Sequence, residues 1–134
     1  RDLHYPLRRQ RQMCIRDRAW DMDSGEEVWS VEFQSHNWGG ILTTAGNLIF
    51  SGGTSDRFFR AHDASTGEEL WRFRTNSGII GVPSTFSVDG KQYVAIQSGW
   101  GVDAAGMTAR IDQQRGTRTF VPQGGVVWVF ALPE

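Results

Sequence analysis

One stretch of eleven residues occurs twice, 42 positions apart, and no other feature constrains the fold so tightly. Ala19-Trp20-Asp21-Met22-Asp23-Ser24-Gly25-Glu26-Glu27-Val28-Trp29 and Ala61-His62-Asp63-Ala64-Ser65-Thr66-Gly67-Glu68-Glu69-Leu70-Trp71 share Ala, Asp, Gly, Glu-Glu and Trp at the same offsets. Matching offsets within one chain mean a repeated structural unit, and a period near 40 residues is that of propeller blades. Each position has a physical reading. A small first residue lets a flat ring approach the backbone, the glycine supplies a turn conformation that other residues resist, and the closing tryptophan buries a large face while donating its indole N–H.

Between the copies the chain reads as short strands. Val28 to Phe33 alternates large apolar and polar side chains, a half-buried strand. Ile41-Leu42-Thr43-Thr44 and Leu48-Ile49-Phe50-Ser51 flank the turn Ala45-Gly46-Asn47, and Phe58 to His62 and Leu70 to Phe73 flank the second copy. The four strands from Ile41 to Phe73 make one complete blade. A second unit runs along Ile79 to Phe86, turns at Val88-Asp89-Gly90-Lys91, returns along Gln92 to Gln97, and takes a third strand at Val126 to Leu132. Asp-Gly between two such runs is a strong hairpin signal. Gly99 to Gln123 has little strand character and is expected as a long functional or mobile loop. The second blade lacks its outer strand.

The fold class expected is therefore all-β: about two blades of four-stranded antiparallel sheets. Six tryptophans and sixteen glycines among 134 residues suit short strands, tight turns and packed rings. No apolar run approaches the roughly 20 residues that span a bilayer. Residues 1 to 18 carry six arginines against Asp2 and Asp17, a net charge of +4 that leaves residues 19 to 134 at −5. The only basic run thus lies outside the repeats, which argues against a nucleic-acid partner. That run has neither period-2 nor period-3.6 patterning, nor the apolar core of a secretory signal. It is read as extraneous to the fold, with 19–134 as the folded unit. Its Cys14 is the only cysteine and reports nothing about redox compartment.

Ala-x-Asp-x-x-(Ser/Thr)-Gly-x-x-x-Trp resembles the tryptophan-docking motif of the eight-bladed quinoprotein propellers, the alcohol and methanol dehydrogenases that use pyrroloquinoline quinone (PQQ). The resemblance extends to His36-Asn37-Trp38-Gly39-Gly40, Ala45 to Phe50, Ser77-Gly78-Ile79-Ile80, Gly90-Lys91-Gln92-Tyr93 and Gln123 to Phe130, all similar to the last blades of those enzymes. It covers Ala19 to Glu134. It implies an intact periplasmic enzyme that oxidises primary alcohols to aldehydes with PQQ and a Ca or lanthanide ion, passes electrons to a cytochrome c, and forms a homodimer. The family's metal ligands and catalytic aspartate lie upstream of the part matched here, and its last blade is completed by a strand from near the N-terminus. By itself this chain is accordingly expected to be inactive and, with an unpaired edge, poorly soluble. A monodisperse, cooperatively melting monomer would overturn that expectation.

The resemblance also implies where this chain meets the cofactor. Trp38, at the start of an inner strand, is placed close to the PQQ rings, with ordinary packing between blades as the alternative. Gly99-Trp100-Gly101 is placed beside the cofactor, since glycines around a tryptophan let backbone approach a bound ring; covering the channel mouth is the alternative for Trp100. This segment is more like the alcohol dehydrogenase branch than the methanol dehydrogenase branch.

Other constellations carry no chemistry. Asp103 reads as a turn-former and Asp21 and Asp63 as structural. His36 and His62 lack the spacing of a metal pair and are expected in a loop and on a strand surface. Glu26-Glu27 and Glu68-Glu69 cannot converge on a substrate, because adjacent strand residues point to opposite faces. There is no Gly-x-Ser-x-Gly elbow, phosphate loop or dinucleotide fingerprint. Two other classes compete with the enzyme: a non-enzymatic propeller scaffold of the outer-membrane assembly type, which would lack the Trp38 and Trp100 segments, and an interaction propeller whose strands end in Trp-Asp, a pair present once, at Trp20-Asp21, and absent from the second copy.

Overall fold

The computed structural model describes residues 16–33 and 35–131. Among these described residues, nine strands form three antiparallel sheets. The first pairs β1 (Arg16–Trp20) with β2 (Glu27–Glu32). The second has the order β3-β4-β5-β6, from Ile41–Thr43, Leu48–Ser51, Phe58–Asp63 and Glu69–Arg74. The third has the order β7-β8-β9, from Ser84–Val88, Lys91–Ser98 and Val126–Ala131. One full four-stranded meander is thus preceded by two strands of another unit and followed by three of a third, as the repeat predicts. β1 begins three residues ahead of the expected Arg18/Ala19 junction; most of the basic run, with Cys14, lies outside the described residues.

The turns of the two sequence copies share the same backbone bonds. In each, the Asp carboxylate accepts backbone N–H bonds from the residues two and three positions on: Asp23 and Ser24 reach Asp21 at 2.8 Å, and Ser65 and Thr66 reach Asp63 at 2.8 and 2.9 Å. These bonds hold both carboxyls below the ordinary aspartate range. Gly25 and Gly67 sit at φ 71° and 76°, and each donates its N–H to the carbonyl of the repeat's Asp, at 2.8 and 2.9 Å. Both hairpins slip register at the same place, after Ala19 and after Ala61.

Trp29 of the first copy docks on the second. Its indole N–H donates to the Ala64 carbonyl at 2.9 Å, and its ring lies so close over Gly67 that a Cβ there would stand 2.8 Å from it. Removing this ring leaves a void between two sheets, so Trp29→Ala is expected to cost about 3–5 kcal/mol, read from the urea midpoint of the intact protein. Trp29→Phe, which keeps an aromatic face and loses the indole bond, should cost less. Trp71 has no third copy to meet. It packs edge-on to Phe59 and Phe130, with centroids at 6.1 and 5.2 Å, so the two tryptophan contacts differ.

The faces of the central sheet are chemically distinct. Phe59, fully buried, joins Ile79, Val94 and Ile96 in the main core, with Leu42, Phe50, Trp128 and Phe130 packed around them. The opposite face of β5 carries Arg60 and His62. Arg60 is buried under an ion-pair network with Asp56 and Glu69 (Nε to Glu69 3.1 Å), with the Phe33 ring 5.5 Å away across the sheet gap. His62 is expected on a strand surface but is only 4% exposed, because this face is covered by the β1–β2 unit, and its Nε2 has no hydrogen-bond partner among the described residues. Burial is the main force lowering its pKa, so the ring is neutral.

The largest departure from expectation lies in residues 99–123, read from the sequence as a loop. Val102–Arg115 is a helix, α1, which ends at Gly116 in the left-handed region, φ 67°. Alanine-rich composition, Asp103 in the first turn and Arg115 in the last favour it. Asp103 is therefore a helix residue rather than a turn-former. Gly106, in the helix interior, has open space where a Cβ would go, so Gly106→Ala is expected to stabilise by about 0.5–1 kcal/mol, measured by the same midpoint shift.

Candidate functional site

Trp38 is held by a close fit of two backbone segments. The Trp38 N–H donates to the Gly53 carbonyl at 3.0 Å, and the Gly39 N–H to Asn37 Oδ1 at 3.2 Å. Ser35 Oγ accepts the Ser55 N–H at 2.9 Å, so the connection entering β3 lies along the one leaving β4. A Cβ on Gly39 would stand 1.7 Å from the Gly52 carbonyl oxygen. His36 stacks on Trp38, centroids 6.1 Å apart and planes at 27°. Burial, and then Arg115, lower the His36 pKa, so it presents a neutral imidazole at pH 7.

Trp100 leaves the end of β8 and is 5% exposed. The Gly99 N–H donates to the Gly78 carbonyl at 2.7 Å, and the indole covers Gly78 so closely that a Cβ there would stand 1.9 Å from Cε3. Gly101 is the N-cap of α1, its carbonyl accepting the Ala105 N–H at 3.0 Å. Ala104 and Val121 bury the other surfaces of the ring, and Trp38 and Ala105 pack against this cluster. Residues 62 positions apart in sequence are thus brought together.

Beneath Trp100 lies a buried polar network that sequence reasoning missed. Ser98 Oγ donates to Asn76 Oδ1 at 2.6 Å, and Trp128 Nε1 reaches both, at 3.1 and 3.2 Å. Ser77, fully buried, donates to the Pro122 carbonyl at 2.5 Å, which fastens the segment returning from α1. Thr75 Oγ1 lies 2.6 and 2.9 Å from the Ser77 and Arg57 carbonyls and has one proton to donate to either. The partners lie 22, 45 and 52 residues apart, so no short-range pattern announces them.

Between the tryptophans and α1 opens a chamber of about 210 Å³. Ser35, His36, Trp38, Ser55 and Trp100 line it from the sheets; Thr108, Ile111, Asp112, Arg115, Thr117 and Thr119 line it from the helix and the segment after it. A second cavity of about 460 Å³ lies between α1 and residues 117–123, and Trp100 is common to both. Gly99 and Gly101 line neither cavity and bracket Trp100 through the backbone. The chamber's carboxylate is already engaged: Asp112 accepts from Thr117 Oγ1 at 2.6 Å and from the Thr119 N–H and Oγ1 at 2.5 and 3.0 Å, bonds that hold its pKa down. It is ionised and occupied, and does not serve as a free base. Arg115, by contrast, makes no hydrogen bond or ion pair among the described residues.

Comparison with known proteins decides the family. The model of the glucose/ethanol/alcohol dehydrogenase β-propeller domain, the PQQ domain, matches residues 17–94, more than half of the chain. The chain belongs to the PQQ propeller family of alcohol dehydrogenases. It is 43% identical over 117 residues to the quinoprotein alcohol dehydrogenase PedH of Pseudomonas putida, a match covering 87% of this chain and 19% of that protein. Two solved structures superpose on it. A europium-containing methanol dehydrogenase does so with TM-score 0.69 at 35% identity, over 87% of this chain and 23% of that one. The quinohemoprotein alcohol dehydrogenase of Comamonas testosteroni does so with TM-score 0.66 at 40% identity, over 87% and 16%. The chain spans about a fifth of the length of the curated relatives it matches.

The family's PQQ is a flat, carboxylated ring system, and the residues lining the chamber fit that chemistry. Two indole surfaces suit the rings, while Ser35, Ser55, His36 and the Arg115 guanidinium, whose charge also acts on Asp112 and His36, suit carboxylate and carbonyl oxygens. No group of three or more His, Cys, Asp or Glu that could hold a metal exists among the described residues, and no helix among them is long and apolar enough to cross a membrane.

Proposed function

We propose that the intact protein oxidises primary alcohols to aldehydes in the periplasm, using PQQ with a Ca or lanthanide ion and passing electrons to a cytochrome c, as a homodimer. The observation that carries this reading is the meeting of Trp38 and Trp100 in one buried cluster beside a chamber otherwise lined mainly by hydrogen-bonding groups. When bound there, PQQ supplies the electron-accepting chemistry that no side chain can. The chain's own residues bind and orient. Trp38 and Trp100 offer the apolar surfaces, Gly99 and Gly101 allow backbone to approach on either side of Trp100, and Gly78 sets the depth at which the ring sits. Arg115 and the serine hydroxyls meet anionic oxygens, and neutral His36 stacks behind Trp38 without adding a second positive charge. Asp112, committed to Thr117 and Thr119, is not assigned as the base that takes the alcohol's proton; by resemblance the metal ligands and that base belong to the part of the family upstream of the match. The Trp29 contact on Gly67 and Ala64 is read as the docking of one blade on the next, which holds the chamber walls in register.

The test is reconstitution of the intact protein with PQQ and either Ca or a lanthanide. Reduction of an artificial electron acceptor that depends on a primary alcohol, on PQQ and on the metal is expected. Failure with every primary alcohol and both metals would sink the reading.

A further inference from the structure

We infer that the second cavity, between α1 and residues 117–123, binds a small amphipathic monocarboxylate, a medium-chain or single-ring acid whose carboxylate meets Arg118. The inference is independent of the alcohol-oxidising reading, because this cavity is separate from the chamber assigned to PQQ, although Trp100 lines both. Its volume of about 460 Å³ has room for roughly fifteen water-sized groups, which suits a body of about eight carbons. Its apolar lining runs from two buried side chains, Trp100 and Val121, to Phe120, which is 83% exposed. Together they offer an apolar surface that the body of a ligand would remove from water. On the helix side, Ala105, Ala109, Asp112 and Gln113 recur at spacings that share one face of α1, with methyl groups first and polar groups after. The two alanines leave the space that a ligand would fill.

Most polar groups around this cavity are already engaged. Thr108 Oγ1 donates to the Ala104 carbonyl at 2.8 Å, and Thr117 and Thr119 hold the Asp112 carboxylate, on whose charge Arg115 also acts. Gln113, Arg118 and Gln123 remain, and they make no hydrogen bond or ion pair among the described residues. A guanidinium with two side-chain amides is a donor set for a planar oxyanion, and a guanidinium meets a carboxylate through two parallel N–H bonds. A neutral molecule of the same length would gain the apolar contact and miss that pairing. The site therefore selects for charge as well as for an apolar body.

The experiment titrates sodium octanoate into the intact protein by calorimetry, first without PQQ and then with PQQ saturating, and uses octanamide as the neutral isostere. Octanoate is expected to bind about tenfold more tightly than octanamide, as a hydrogen bond to a charged group allows, and PQQ should change that affinity by less than about twofold. Arg118→Gln should abolish the preference for octanoate. Ala109→Phe, which fills the cavity from the exposed helix face, should weaken both probes by about tenfold or more; should it not fold, Ala109→Leu takes its place, with the same direction and a smaller change. Arg115→Gln, which lines the chamber and not this cavity, should leave octanoate binding within about twofold. No octanoate binding at millimolar concentration, equal binding of the two probes, a preference that survives Arg118→Gln, or displacement of octanoate by PQQ would each overturn the inference. If the wild type binds no PQQ, the cofactor reading falls, and the comparison of octanoate with octanamide in the wild type and Arg118→Gln still decides this one.

Discussion

Gly39→Ala is expected to destabilise the protein severely. The added Cβ would stand 1.7 Å from the Gly52 carbonyl oxygen and 2.6 Å from its carbon, and both are backbone atoms that no rotamer change can move. The fit is reciprocal, since a Cβ on Gly53 would stand 2.0 Å from the Gly39 nitrogen. Relief requires the two connections to separate, breaking the Trp38 N–H bond to Gly53 and the Ser55 N–H bond to Ser35. Overpacking of a tight core costs about 1–3 kcal/mol and occasionally more, and a backbone clash without a soft neighbour belongs at or above the upper end. Stability lowered by about 3 kcal/mol or more, read from the shift in urea midpoint, or loss of folded intact protein, is the expected result. A change under about 1 kcal/mol would show that the two segments do not approach as described. Gly106→Ala, where the added methyl meets nothing, is the matched control and should move the midpoint the other way.

Gly78→Ala should strike the site more selectively. Its Cβ would fall 1.9 Å from Cε3 and 2.5 Å from Cζ3 of Trp100, so the indole must leave its seat. The ring cannot swing aside freely, because Ala104 and Val121 enclose it and Trp38 packs against the cluster. The expected cost is about 3 kcal/mol of stability, with a loss of PQQ affinity, as Trp100 is displaced toward the cavity it shares with α1. The readouts are the urea midpoint and a PQQ titration of the folded fraction. Unchanged PQQ affinity in a folded Gly78→Ala protein would remove Trp100 from the cofactor site.

The repeat explains why so much of the fold was legible. Asp21 and Asp63, Gly25 and Gly67, and the two register slips are local features set within eleven residues, so the sequence copy implies a structural copy. Strand positions followed from alternation and from turn residues such as Asp89-Gly90, which closes the hairpin between β7 and β8. α1 was not legible as a helix because its burial is confined to Ala104 and it shows no apolar stripe; its signals are the acidic first turn, the basic last turn and Gly116 at the end. His62 was misplaced for a different reason. Alternation tells which residues share a face, and a propeller covers both faces of an inner sheet, so a polar residue opposite a core residue is not thereby exposed. The bonds joining Asn76, Ser98 and Trp128, and Ser77 with Pro122, depend on segments that meet only in the folded chain. Trp38 and Trp100 were singled out in the sequence; that one cluster holds both, with α1 closing the chamber, required the structure.

The central claim is that this cluster is a wall of the cofactor site, and a PQQ titration of the intact apoprotein, wild type against Trp38→Ala, tests it most directly. Loss of an aromatic stacking surface is worth about 1–3 kcal/mol, so Trp38→Ala should bind PQQ roughly 10- to 100-fold more weakly with an unchanged far-ultraviolet circular dichroism spectrum. Equal affinity in a folded Trp38→Ala protein, or no PQQ binding by the wild type, would contradict the account.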